Sequence, residues 1–314
     1  MKKNNLGPSG LSISLVGLGC NNFGGRIGID ETRAVVDRAL ELGINFFDTA
    51  DVYGNKGGSE DCLGQVIGER RKDIILATKF AMPMSDDPTM RGASRAYIVK
   101  ACEASLKRLK TDWIDLYQVH QPDANTPTDE TMGALDDLIK EGKVRHIGSS
   151  NYSADQLDEA QDAATGNGWA GFVACQDHYS LLAREIDNAL LPAITRRGLG
   201  LLPYFPLASG FLTGKYTRAS PPPKGTRMAN MPQLAERYMT EKNWDIVEAL
   251  EAFAKRYDRS LLELAFAWLL ARPNVSSVIA GATHPDQVSQ NAAAVGWMLS
   301  ADDMTEIDKI TSSA

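Results

Sequence analysis

The chain has 314 residues, 43% apolar and 23% charged, an ordinary globular composition with ample material for one large core. Its formal charge is −7, and no block of five or six basic residues interrupts it, which sets it against a nucleic-acid partner. Polar residues follow Lys2 and Lys3 where a leader would need an apolar run, and the apolar stretch Leu261 to Leu270 is too short to span a bilayer and carries Glu263. The reading is therefore a cytoplasmic protein with no membrane partner. Cys20, Cys62, Cys102 and Cys175 form no CxxC pair and are read as buried free thiols rather than disulfides.

In chain order, Leu6 to Gly10 (LGPSG) has hairpin-turn chemistry, and Leu11 to Val16 continues as a strand. Thereafter short β-rich runs alternate with amphipathic helices. Strand Leu15–Leu18 leads to a helix from Asp30 to Leu42 closed by Gly43, and strand Asn45–Phe47 to a helix over Ser59–Ile67. Ile74–Thr78 is followed by a helix over Ser94–Leu109, Ile114–Val119 by one over Thr128–Lys140, and Val144–Gly148 by one near Ala154–Ala164. Phe172–Cys175 precedes a helix over Ile186–Arg196, and Gly200–Pro203 precedes a long connection. That connection, Leu207 to about Gln233, holds Pro221, Pro222, Pro223 and Gly225, lacks periodicity, and is predicted to be a loop covering a site. A helix over Ser260–Ala271, an eighth strand over Val275–Ala280, and helices over Pro285–Val295 and Ala301–Ile310 complete the series.

The alternation predicts an α/β fold, a (β/α)₈ TIM barrel with an N-terminal β-hairpin and extra C-terminal helices, in one domain over residues 1–314. A doubly wound open sheet would want a glycine-rich phosphate loop after the first strand. Gly17-Leu18-Gly19 is followed instead by Cys-Asn-Asn-Phe, without the third glycine at its offset.

In a barrel, reactive side chains belong at strand C-termini. Asp48 and Tyr53 follow the second strand, Lys79 ends the third and His120 ends the fourth. Singly, each has a plainer role: Asp48 as a cap, Tyr53 as packing, Lys79 reaching for solvent, His120 as a bonded core histidine. Matched offsets on three neighbouring strands argue for a shared site. The set suits carbonyl reduction: an ammonium beside a phenol lowers its pKa from about 10, Asp48 keeps Lys79 charged, and neutral His120 orients the substrate oxygen. Hydride must come from a cofactor, since no side chain supplies one. A metal-dependent barrel hydrolase is disfavoured, because the four histidines form no HxH pair, and no metal is called for.

The strings GINFFDTADVYG, ATKF, LYQVHQPD, GKVRHIGSSNY, QDHYSLLAREID, YFPLASGFLTGKY and VIAGATHPDQVSQN, in that order from Gly43 to Asn291, resemble the aldo-keto reductase family. The resemblance implies a catalytic tetrad of Asp48, Tyr53, Lys79 and His120, and NADP(H) rather than NAD(H) as cofactor. It implies that Ser150, Asn151 and Gln176 hold the nicotinamide carboxamide and that Tyr204 stacks on its ring. Phe205, Pro206, Leu207, Ala208, Gly210 and Leu212 would lie along the pyrophosphate, with Lys215 and Arg227 near the phosphates. Gly281, Thr283, Gln287, Gln290 and Asn291 match the adenosine end. Ala282, Thr283 and Gln287 stand where many relatives place a lysine and an arginine, which resembles the branch holding potassium-channel β subunits and bacterial reductases. Phe205 replaces a common serine, and His178 a common glutamate; His178 is read as a buried supporting residue. Phe23, Met82, Met84 and the segment from Leu207 to Phe211 are the substrate-pocket candidates, and the substrate is a small carbonyl compound. The activity implied is reduction of aldehydes or ketones to alcohols, with a cofactor-sensing regulatory subunit as the alternative.

Overall fold

The computed structural model describes residues 1–312. Two short strands, β1 (Lys3–Asn5) and β2 (Ser12–Ser14), pair antiparallel around a single 3₁₀ turn. Eight parallel strands follow: β3 (Val16–Gly19), β4 (Phe46–Asp48), β5 (Ile75–Phe80), β6 (Ile114–Val119), β7 (Val144–Ser150), β8 (Phe172–His178), β9 (Gly200–Tyr204) and β10 (Val278–Gly281). Each neighbours the next in sequence, and β10 returns to β3, so the sheet curls into a nearly closed barrel. Across the last seam, Leu201 N–H donates to Asn274 O at 2.7 Å and Ser276 N–H to Leu201 O at 2.9 Å. The eighth strand is thereby shifted from the expected 275–280: residues 274 to 276 face β9, and pairing with β3 begins at Val278.

Helices α1 (Ile29–Glu41), α2 (Tyr53–Ile67), α3 (Arg95–Leu109), α4 (Thr128–Lys140), α5 (Ala154–Asn167) and α6 (Leu190–Arg197) each follow a strand and cover the barrel. The sixth starts later than the sequence suggests. Pro192 lacks an N–H and is tolerated only in a first turn, so the helix begins at Leu190, after a separate turn over Glu185–Asp187. The connection after β9 carries two short helices, α7 (Arg227–Asn230) and α8 (Pro232–Tyr238). Beyond it α9 (Glu241–Lys255), unassigned from sequence, buries Trp244, Val247, Leu250 and Ala254, one face at helical spacing, behind a Thr240 cap. Helix α10 (Leu261–Leu270) starts on a capping box in which Ser260 Oγ accepts from Glu263 N–H while Glu263 accepts from Ser260 N–H. Helices α11 (Pro285–Ala293) and α12 (Ala301–Ser312) finish the chain.

Successive residues of a strand face opposite sides, and this parity positions the site. Phe46, Ala77, Leu116, Ala174, Leu202 and Ile279 point inward and form one apolar layer, with Leu6 and Ile13 of the hairpin packed beneath them as a floor. Gly7 is required there: its φ is +49°, and a Cβ would stand 2.3 Å from Val173 O. Two residues further along the strands, the same inward parity reaches Asp48, Lys79, Gln118, Ser150, Gln176, Tyr204 and Gly281. An apolar layer thus supports a polar one at the C-terminal mouth. The outward residues and the helices make the larger core. All four cysteines are buried and unbridged, and no helix among the described residues is long and apolar enough to cross a membrane.

Candidate functional site

Lys79 is completely buried rather than reaching for solvent. Its Nζ donates to Asp48 Oδ2 at 2.7 Å and to Thr49 O at 3.0 Å, and lies 3.5 Å from the Tyr53 hydroxyl. Asp48 spends its other oxygen on Gln176 Nε2 at 2.8 Å and Gln118 Nε2 at 3.3 Å. A buried ion pair with its remaining lone pairs satisfied is the arrangement in which such a pair survives desolvation. Burial pulls Lys79 down, but Asp48 and Tyr53 outweigh it and the net shift is upward, so the ammonium stays charged. Tyr53 opens α2, and the chain behind it bends sharply: Gly54 has φ +64°, with Phe23 O 2.3 Å from where a Cβ would sit. Glycine alone fits, and the bend turns the Tyr53 ring over Lys79, whose Nζ is 5.0 Å from the ring centre.

Burial raises the Tyr53 phenol above its ordinary value and Lys79 pulls it back only in part. The sequence argument counted the lysine and not the desolvation. The His120 ring meets Tyr53 edge to face at 5.6 Å between centres. Burial, reinforced by Lys79, lowers His120 to about 3, and its Nδ1 is buried without a partner. The imidazole is therefore neutral at physiological pH.

These groups open on a cavity of about 290 Å³ whose wall also includes Ser150, Asn151, Gln176, Tyr204, Phe205 and Gly281. Asn151 has φ +59°, and its side chain knots three strand ends together. Its Nδ2 donates to His120 O at 2.9 Å and Ser150 Oγ at 3.0 Å, while its Oδ1 accepts from Tyr204 OH at 2.8 Å. The Tyr204 ring is backed by His178, parallel within 10° at 5.5 Å, and Phe205 stands edge-on to both. His178 is half-buried against Tyr238 OH at 3.5 Å, the supporting place expected of it.

The turn after β9 is irregular, with positive φ at Ala208, Ser209 and Gly210. The amides of Ala208, Gly210 and Leu212 are spent on Phe205 O and Leu207 O inside the turn, so fewer remain for a ligand than the sequence offered. Pro206 and Leu207 lead into this turn. Ser209 Oγ, Tyr216 OH and Arg227 Nε are buried with no hydrogen-bond partner among the described residues. Lys215 and Arg227 have aromatic neighbours, Tyr216 and Phe205, but no carboxylate. Burial first and Arg26 second lower Arg227, so two guanidiniums face one region. At the end of β10, a Cβ on Gly281 would sit 3.2 Å from Asn22 Nδ2 and 3.3 Å from Asn21 Oδ1, so glycine here keeps the space beside the two asparagines uncrowded. Beside it Gln287 Oε1 accepts from Thr283 N–H at 2.8 Å, Asn291 is buried and Gln290 is exposed.

Three of the pocket candidates do not line this cavity. Phe23 is fully buried in the main core, below any surface a substrate could touch, because the bend at Gly54 folds over it. Met82 and Met84 are half-buried on the loop after β5 and do not line the cavity. A larger hollow of about 630 Å³ lies between the loops after β5 and β6, but it contains none of the groups above. Its one acid, Asp123, is occupied by Ala93 N–H, Asn125 N–H and the Thr126 hydroxyl. Gln118, Cys20 and Asn21 were missed from sequence. Gln118 was within reach, since alternation along LYQVH puts it on the same side as His120.

No group of three His, Cys, Asp or Glu among the described residues is placed to hold a metal ion. The family model described as Aldo/keto reductase family matches residues 15–312. The chain is 38% identical over 301 residues to a probable voltage-gated potassium channel subunit beta of Arabidopsis thaliana, covering 94% of this chain and 91% of the relative. It is 38% identical over 302 residues to the uncharacterized oxidoreductase YrpG of Bacillus subtilis, covering 92% and 90%. To the aldo-keto reductase YhdN of the same bacterium it is 35% identical over 317 residues, covering 99% and 93%.

Proposed function

This chain belongs to the aldo/keto reductase family, and from that premise we propose that it reduces aldehydes or ketones to alcohols with NADPH. The carrying observation is the Tyr53 hydroxyl, 3.5 Å from a buried ammonium that is itself paired to Asp48, on the wall of the cavity that His120 shares. The residues present fit the cofactor: Arg227 Nε and Ser209 Oγ, unpartnered among the described residues, would be free to meet the phosphates, and Gly281 adds no side chain beside Asn21 and Asn22. Ser150, Asn151 and Gln176 would hold the carboxamide. Gln176 has spent its amide hydrogens on Asp48 and Gln118, leaving its carbonyl to accept. Tyr204 would face the ring. Phe205, Pro206, Leu207, Ala208, Gly210, Leu212, Lys215 and Arg227 would line the phosphates, and Gly281, Thr283, Gln287, Gln290 and Asn291 the adenosine.

When bound, the nicotinamide supplies the hydride. Tyr53 supplies the proton. A general acid must hold its proton at the working pH, and burial ensures that here. Lys79 stabilises the phenolate left behind, and Asp48, gripped by Gln118 and Gln176, keeps Lys79 in place. A buried lone pair is cheaper to leave unpaired than a buried N–H, so unpartnered Nδ1 places the His120 proton on Nε2, available to a substrate carbonyl oxygen.

A panel of aldehydes, ketones and sugars followed by NADPH absorbance tests the reading. Oxidation that depends on the added carbonyl supports it. Tight NADPH binding without turnover on any member would favour the second reading, a cofactor-sensing regulatory subunit, which the 38% identity to the plant channel β subunit motivates.

A further inference from the structure

Asp177 sits beside Gln176 on β8 with opposite parity, so it faces outward while Gln176 faces the cavity. It is 5% exposed, and no lysine, arginine or histidine pairs with it among the described residues. Its Oδ1 accepts one hydrogen bond, from Asn151 N–H at 3.1 Å. A buried carboxylate without a cation is costly, and that cost pushes its pKa up to about 7. The bond it makes falls where the backbone is strained. Asn151 is a non-glycine residue at φ +59°, and its amide has otherwise only a long 3.3 Å bond to Gln176 O. Were Asn151 to relax to negative φ, its side chain would leave His120 O, Ser150 Oγ and Tyr204 OH together.

Resting on the cofactor reading above, we infer that Asp177 is a positioning residue for the nicotinamide end of the site, acting through the Asn151 amide to hold Ser150 and Asn151 in their binding geometry. It touches neither cofactor nor substrate, and the adenosine end around Gly281 and Asn291 is independent of it.

The test is fluorescence titration of wild type, Asp177→Asn and Asp177→Leu with NADPH and with 2′-phospho-ADP-ribose, which lacks nicotinamide. Leucine keeps the volume and removes the acceptor; asparagine keeps an acceptor oxygen and loses the charge. Asp177→Leu should weaken NADPH about tenfold, the size of one lost buried hydrogen bond, and leave the fragment within about twofold. Asp177→Asn should restore most of the NADPH affinity. Asp177→Ala carries the same comparison if the leucine variant does not fold. Wild-type NADPH affinity in the leucine variant, equal loss for both ligands, or no recovery with asparagine overturns the inference alone. Failure of wild type to bind either ligand overturns the cofactor reading and this inference with it.

Discussion

At the ends of β4, β5, β6 and β8, Asp48, Lys79, Gln118 and Gln176 are bonded to one another; in the connection after β9, Ser209 Oγ, Tyr216 OH and Arg227 Nε are buried with no partner among the described residues. The first region rests on an apolar layer inside the barrel, where strand parity dictates what meets what. The second hangs on an irregular turn with three consecutive positive φ values and on helices of four and seven residues. The contrast separates two tasks. Proton chemistry needs groups fixed before a substrate arrives, and their partners are protein groups. Binding an anionic ligand needs donors left over for it, and a protein can carry such donors only near its surface and at some cost.

Removing the acid from the fixed region should give the largest effect. Tyr53→Phe is expected to lower the chemical step by about 10² to 10⁴, roughly 3 to 5 kcal/mol of barrier, with NADPH affinity nearly unchanged. Single-turnover carbonyl reduction beside an NADPH titration measures both. Retention of more than about a tenth of the wild-type rate, with chemistry limiting, would remove Tyr53 from the role.

Lys79→Met strikes the same region one step back. It deletes the charge that opposes burial at Tyr53, so the rate should fall about tenfold or more and its pH dependence should move upward. It also strands the Asp48 carboxylate, buried, on two amides, and the melting temperature should drop. A pH profile that stays put, with the rate intact, would reduce Lys79 to a structural ion pair.

In the second region the comparison predicts the reverse pattern. Arg227→Gln should weaken NADPH about tenfold and NADH less, with the rate at saturating NADPH almost untouched. Tryptophan-fluorescence titrations with both cofactors would show it, and wild type should bind NADPH the more tightly. Equal losses for both cofactors would place Arg227 away from the extra phosphate, while a fall in the saturated rate would join the two regions into one.

The sequence made these two regions unequally legible, for the same physical reason. Strand alternation and its parity are local rules, so the barrel, most of its helices and the convergence of Asp48, Tyr53, Lys79 and His120 could be read from spacing. The consequences of burial are not local. Nothing in IILATKF says that Lys79 is sealed off, that Tyr53 is raised rather than lowered, or that Phe23 lies under the Gly54 bend. After β9, three prolines and the lack of period mark a loop, but which amides it spends on itself depends on long-range packing. Helix α9 is marked by Trp244, Val247, Leu250 and Ala254 at helical spacing, but no strand precedes it in the βα alternation to signal it. Asp177 shows the limit most clearly, since its hydrogen bond is to a residue 26 positions away.

The last effect is also the exception to the contrast, a buried carboxylate in the fixed region with no side-chain partner among the described residues. Asp51 is 1% exposed, and the Val52 backbone N–H is the donor beside it. Burial, and then Glu60, push its pKa from 3.8 to about 8, with Arg108, the Val52 N–H and Lys79 opposing only in part. An unfolded Asp51 loses its proton near pH 4, whereas the folded one keeps it until about pH 8. Between those values the native state binds the extra proton, so this residue lowers stability progressively as pH rises from about 4 through 8, and by a constant amount above. Asp51→Asn cannot ionise and escapes that penalty. Its melting temperature at pH 9 should exceed wild type by several degrees, and the gap should shrink progressively as pH falls toward 5. Thermal unfolding across pH decides it. A gap independent of pH would mean that the carboxylate is solvated or paired in solution, and that the region around Tyr53 carries no unsatisfied charge.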